Sequence, residues 1–231
     1  MATVMGVFAH PDDETFIAGG TFAKLAAEGH RVVIVCATRG EMGRRLGVPL
    51  RATRESLGAL REQELREACA ALGVSRLVLL GYRDKEVEMV PEGEATARIE
   101  SLLAEERPAS VVTFHDPLGG HPDHAAVGRF ATLAFERYRR VADHARLFYV
   151  AWGDDLAAFR RYPQPAKALV EVDVRAHRRQ KLMAFRAHRT QSELDRAIWG
   201  NDEKAVHRMR DREYFVLTQG PNLKRPGTLM D

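Results

Sequence analysis

The sequence predicts an α/β fold: a Rossmann-like, mostly parallel sheet flanked by helices, in one domain over residues 1–231 with a more irregular C-terminal third. Three observations carry this. Apolar runs of strand length alternate with stretches whose apolar residues recur at helical spacing. One of the runs, Arg31 to Thr38 (RVVIVCAT), is continuously β-branched rather than alternating, the mark of a strand covered on both faces. Two of the runs end in clusters of His and Asp, at the edge where open α/β sheets bind their ligands.

Taken in order, Thr3 to Ala9 (TVMGVFA) reads as the first buried strand, stopped by His10-Pro11. Gly19-Gly20 then punctuates the chain, so the first helix is expected over Thr21 to Glu28, with Gly29 just past its end. The Arg31–Thr38 strand leads into a loop rich in Gly and Arg. A helix follows from about Arg54 to Leu72, with Leu65, Ala68, Cys69 and Leu72 on one face. Arg76 to Leu80 is a third strand, Gly93 to Glu106 holds a third helix, and Ser110 to Phe114 is a fourth strand. His124 to about Arg140 is a helix whose Val127, Phe130, Ala131, Ala134 and Tyr138 share a face. Beyond Arg146 the alternation loosens. Strands are expected at Arg146 to Ala151, Ala168 to Val174 and Glu213 to Thr218, with a helix over Arg175 to Ala187.

A chain of 231 residues can bury one sizeable core. Its 35 Lys and Arg nearly balance 32 Asp and Glu, and no compact basic block with interleaved aromatics occurs, so no nucleic-acid partner is expected. No stretch approaches the roughly 20 apolar residues of a membrane span. Met1-Ala2-Thr3-Val4 enters a strand without the basic region and apolar core of a signal peptide, which predicts a cytoplasmic location. Cys36 and Cys69 are isolated and make neither a disulfide framework nor a thiolate metal site. A homo-oligomer is compatible with this composition.

The stretch "FAHPDDE" (8–14) sets three carboxylates side by side where a buried strand ends. Such a group resists full ionisation unless a cation or hydrogen bonds compensate, and a divalent ion would answer it. His10 and Asp13 can supply a nitrogen and an oxygen, and "HPDH" (121–124) offers His121 and His124 for the third ligand. A His₂-carboxylate set with an open position suits a hydrolytic zinc site. It is also similar to the set that holds non-haem iron. The expected cofactor is therefore Zn²⁺, with Fe²⁺ the other candidate, and the absence of an oxygen-handling signature favours hydrolysis. Asp12, beside a liganding Asp, is placed to take a proton from the attacking water. A histidine near the ion but not on it can hold an oxyanion or protonate a leaving group, with a carboxylate setting its tautomer. His121 and Asp123 fit that pair, leaving His124 as the ligand. Alone, "HPD" reads as a turn and "HPDH" as a helix cap with Pro122 in the first turn; together they supply three ligands, a base and an acid.

The pair "AHPDDE" (9–14) and "HPDH" (121–124) resembles the LmbE-like, or PIG-L, family of zinc-dependent de-N-acetylases. The resemblance extends to "TRGEMG" (38–43), "LGYRD" (80–84) and "AHRTQ" (187–191). It implies zinc on His10, Asp13 and His124, Asp12 as general base, and His121 as electrophile or acid oriented by Asp123, and so sharpens the choice between His121 and His124. Glu14 belongs to the motif and is expected to brace the loop. The activity implied is removal of acetyl from an N-acetylglucosamine-type substrate, a small sugar conjugate such as a precursor of a low-molecular-weight thiol. An amidase cleaving thiol S-conjugates of such sugars, with a wider pocket, is the near alternative. A non-catalytic nucleotide-binding module is the alternative of another class, and it lacks a Gly-x-Gly-x-x-Gly loop after the first strand.

Four further positions are candidates for substrate binding. Arg39 could hold a sugar hydroxyl or an anionic aglycone. Asp84 resembles a substrate-contacting position, although Lys85-Glu86-Val87-Glu88 departs from the family's shorter loop. His188 and Gln191 are expected by resemblance in the wall of the site. Asp116 is expected to accept a hydrogen bond from a zinc-bound histidine.

Overall fold

A computed structural model describes residues 1–116, 118–152, 156–162 and 166–230. Its sheet has seven strands: β1 (Thr3–Phe8), β2 (Arg31–Thr38), β3 (Arg76–Tyr82), β4 (Ser110–Thr113), β5 (Arg146–Ala151), β6 (Ala168–Asp173) and β7 (Arg212–Gln219), in the order β3-β2-β1-β4-β5-β7-β6. The first five run parallel; β7 is antiparallel to both β5 and β6. β1 lies inside the sheet, with Val4 opposite Val32 on one side and Ser110 on the other. The continuous apolar run of β2 is buried from Val32 to Thr38, as a strand covered on both faces must be.

Helices α1 (Asp13–Ala27), α2 (Arg54–Leu72), α3 (Glu92–Glu106) and α4 (Pro122–Tyr138) connect the parallel strands. α2 is delimited as the sequence suggests: Thr53 and Ser56 form a capping box, and Gly73 follows its end at φ 73°. Phe8 of β1 stands edge-on to Phe22 of α1 and to Phe114, joining the layers at the core. A short α5 (Leu156–Phe159) follows β5. The segment between β6 and β7 carries α6 (Arg178–Ala187) and three short helices, α7 (Arg189–Ser192), α8 (Arg196–Trp199) and α9 (Asp202–Arg208). Among the described residues no helix is long and apolar enough to cross a membrane.

The first helix departs from expectation. It starts at Asp13 and runs through Gly19-Gly20. The glycines mark a close approach: a Cβ at Gly20 would stand 2.7 Å from the Val174 Cβ. The N–H groups of Gly20 and Thr21 donate to the Glu213 carboxylate at 2.9 and 2.7 Å. Lys181 of α6, paired with Glu213 at 2.6 Å, donates to the Phe16 carbonyl. The C-terminal third thereby grips the middle of α1, which carries the acidic motif.

Candidate metal centre and active site

The strand order reverses at β1, since β2 lies on one side and β4 on the other. Such a switch point opens the crevice where α/β sheets bind ligands. The turn from β1 to α1 and the loop from β4 to α4 both lie at it.

His10, Asp13 and His124 meet there. His10 Nδ1 lies 3.2 Å from His124 Nε2 and 3.6 Å from Asp13 Oδ2, and His124 Nε2 lies 3.2 Å from Asp13 Oδ1. Ligands held tetrahedrally at about 2.0–2.1 Å from zinc stand roughly 3.3 Å apart, so these donors fit such an ion. The other ring nitrogens have acceptors: His10 Nε2 faces Asp123 Oδ2 at 3.0 Å and Asp84 Oδ1 at 3.2 Å. His124 Nδ1 faces the Gly119 carbonyl at 2.9 Å, and its ring stacks on Phe114. Each ring can thus turn a lone pair toward the shared point, held by a partner behind it.

His10, His121 and Asp123 form a second trio of potential donors. Here the tautomer decides. His121 caps α4, and its Nδ1 accepts the Asp123 backbone N–H at 3.1 Å. In the neutral ring the proton therefore sits on Nε2, making that atom a donor rather than a ligand. The first trio is the one suited to an ion, and His121 stands beside it, its ring 5.0 Å from that of His10.

The electrostatics agree. Burial opposes charge on His10, yet hydrogen bonds to Asp123, Asp13 and Asp84 push its pKa up to about 12. Burial would raise Asp13, but hydrogen bonds to His10 and His124 hold its carboxyl far below the ordinary range. Burial and then the charge of His10 lower His121, which keeps its ring neutral. Carboxylates that draw a proton this strongly also favour a cation in its place.

Asp12 is the N-cap of α1, at φ 109° and ψ −26°, a backbone region that disfavours side chains. Its surroundings over-determine it. Its N–H donates to Glu14 Oε2 at 3.0 Å, and its Oδ2 accepts from Arg61 Nη2 at 2.9 Å. Arg61, reaching in from α2, also donates to the carbonyls of Pro11 and Gly40. Gly40 leaves it room: a Cβ there would stand 2.0 Å from Arg61 Nη1. Burial pushes Asp12 up to about 6, against the opposing charge of Arg61. Glu14 is buried, takes His188 Nε2 at 2.8 Å, and does not join the trio.

Several expected contacts differ. The Asp123 carboxylate meets His10 and the N–H groups of Lys85 (2.8 Å) and Val87 (3.3 Å), not the His121 ring; only its backbone reaches His121. Asp84 is buried, with its oxygens taken by His10 and by Met42 N at 2.8 Å, so its side chain holds the His10 ring. Arg39 pairs with Glu62 at 2.9 Å and is largely exposed. Asp116 pairs with Arg129 at 3.1 Å, and the Gly119 carbonyl holds His124 in its place. His188 is buried against Glu14 in the wall of a cavity beside Asp12. Gln191 lines the same cavity, but its amide bonds the backbone of Arg44 in both directions and so clamps the 39–54 loop. Arg61 was missed. Its signal was present: with Glu64 it falls in the buried stripe of α2 that holds Leu57, Leu65, Ala68 and Leu72.

Residues 5–135 match the PIG-L family, described as GlcNAc-PI de-N-acetylase. The chain is 36% identical over 190 residues to a probable N-acetyl-α-D-glucosaminyl L-malate deacetylase 2 of Bacillus cereus, covering 82% of this chain and 84% of that protein. It is 35% identical to a 1D-myo-inositol 2-acetamido-2-deoxy-α-D-glucopyranoside deacetylase of Saccharomonospora viridis, covering 93% and 94%. Among solved structures, the N,N'-diacetylchitobiose deacetylase of Pyrococcus horikoshii superimposes with a TM-score of 0.67 at 25% identity, over 98% of this chain and 84% of the other.

Proposed function

For a chain that belongs to the PIG-L family of de-N-acetylases, we propose metal-dependent hydrolysis of the acetamide of an N-acetylglucosamine conjugate, giving acetate and the free amine. The observation that carries this reading is the convergence of His10 Nδ1, Asp13 and His124 Nε2, each ring held from behind, with Asp12, the chain neighbour of Asp13, held by Arg61. Relatives at 36% and 35% identity are named for acetyl removal from glucosaminyl malate and from an inositol glucosaminide, which supports the substrate class. His10, Asp13 and His124 would hold the ion, with Zn²⁺ the first candidate and Fe²⁺ the second. Such an ion, when bound, supplies a Lewis acid that polarises the carbonyl and acidifies water.

Asp12 accepts a proton from the water that attacks the acetamide carbon. Arg61 and Glu14 keep its carboxylate at the position this transfer requires. His121 Nε2–H donates to the oxygen on which negative charge develops, a contact stronger in the transition state than in the substrate. The protonated Asp12 then delivers to the departing nitrogen the proton that makes the amine a leaving group.

The test is acetate release from a panel of N-acetylglucosamine conjugates by chelated protein, zinc-restored protein and Asp12→Asn. Release that needs metal and falls by about 10²–10⁴ in the variant is expected. Release unchanged by chelation, or no release from any member by metal-loaded protein, would overturn the reading. Restoration with ferrous iron in the absence of oxygen, measured beside zinc, ranks the two ions.

A further inference from the structure

Beside Asp12 lies a cavity of about 600 Å³ whose walls are built by Phe16, Leu46, Phe185, Leu194 and Ile198. Phe16 and Leu194, each 55% exposed, stand on the same cavity. The Phe16 ring stands edge-on to Phe185 with centroids 4.8 Å apart. Most of the polar side chains of the wall are already engaged. The Gln191 amide is spent on the Arg44 backbone. Ser192 Oγ donates to the Phe185 carbonyl and accepts from Trp199 Nε1. Asp195 Oδ1 accepts the Ala197 N–H of α8. His188 is turned to Glu14 through Nε2; its Nδ1, buried and without a partner, is the polar atom left at depth. Arg44, the cation of the wall, is exposed.

A cavity most of whose polar side chains are bonded within the protein offers a ligand mainly dispersion and desolvation. Its occupant is tied to the reaction, because Asp12 forms part of the wall. Resting on the de-N-acetylase reading, we infer that this cavity binds an apolar alkyl or aryl substituent that the substrate carries close to its amide. The aglycones named in the relatives, malate and inositol, are polar, so this chain's preference departs from theirs. The sugar side and the acyl side of the amide are the two sources of such a group.

Metal-loaded protein is assayed with methyl and hexyl glycosides of N-acetylglucosamine, and with the N-acetyl and N-hexanoyl forms of methyl glucosaminide. The expected result is at least a tenfold higher kcat/KM for the longer member of one pair, about 1.4 kcal/mol or roughly two buried methylenes. The pair that responds identifies the side. The ratio of longer to shorter substrate should fall toward one in Leu194→Glu and in Phe16→Ala; being internal to each variant, it is independent of any general loss of activity. Ratios near one in both pairs, or an advantage that survives both substitutions, overturn the inference. If even the methyl glycoside is not turned over, the activity reading has failed instead. Calorimetric binding of the hexyl and methyl glycosides then tests the cavity directly, and equal affinities overturn it too.

Discussion

Arg61 Nη2 donates to Asp12 Oδ2 at 2.9 Å, joining the middle of α2 to a carboxylate 49 positions earlier in the chain. The guanidinium is 3% exposed and also donates to the Pro11 and Gly40 carbonyls on either side of the site. A single buried cation therefore fixes the proposed base, the turn that carries it and the entrance to the 39–54 loop.

Arg61→Ala should lower kcat by about 10²-fold, the scale of a misplaced reacting group, while metal affinity at the proposed His10, Asp13 and His124 site is unchanged. Arg61→Lys should recover part of the loss. The sign of the pH effect is fixed. Burial raises Asp12 and Arg61 lowers it, so removing Arg61 moves the acid limb of the kcat/KM profile to higher pH. An acid limb that stays in place or moves down would show that Arg61 does not act on Asp12.

Asp123 was read from the sequence as the partner of His121, and its carboxylate instead holds His10 at 3.0 Å. Asp123→Ala should weaken metal affinity by about 10–100-fold, as loss of the partner behind a liganding histidine does. Competition with a chromophoric chelator measures this, with circular dichroism to check the fold. Unchanged affinity together with lost activity would return Asp123 to His121.

What was legible in the sequence follows from range. His10, Asp12 and Asp13 share one turn after β1, and His121 and His124 one helix start, so local spacing and strand ends sufficed to bring them together. The strands of the parallel half were legible because their apolar runs are continuous. The contacts that orient the site were hidden because they join elements distant in sequence: Arg61 to Asp12, His188 to Glu14, Lys181 and Glu213 to α1. Gly19-Gly20 misled for the same reason. Read locally it is a break in the chain; in the fold it is the gap that admits Val174 and Glu213.

The Lys181–Glu213 pair is buried on both sides, at 3% and 1% side-chain exposure. Taking one member from a buried pair typically costs about 3–5 kcal/mol, more than the pair itself contributes. Lys181→Met should accordingly destabilise the protein on that scale in urea, and the further change Glu213→Gln should restore part of it by removing the stranded charge. A double variant less stable than Lys181→Met by the full cost of Glu213→Gln alone would mean that the two residues act independently.

Metal binding itself should release a proton. Burial disfavours a charge on His10, but the Asp123, Asp13 and Asp84 carboxylates hold its pKa up at about 12. At neutral pH the metal-free ring therefore carries a proton that it must lose before Nδ1 can serve as a ligand. The sign follows: below that pKa, metal uptake displaces the proton, so affinity rises with pH by about tenfold per unit for each proton released. Calorimetry in buffers of differing ionisation enthalpy counts the protons directly, with at least one per metal expected near pH 7. Substituting Asp123 removes the largest of these stabilising hydrogen bonds and should reduce the count while also weakening affinity. A heat independent of the buffer would mean that metal uptake releases no net proton and that the metal-free site is already neutral at His10.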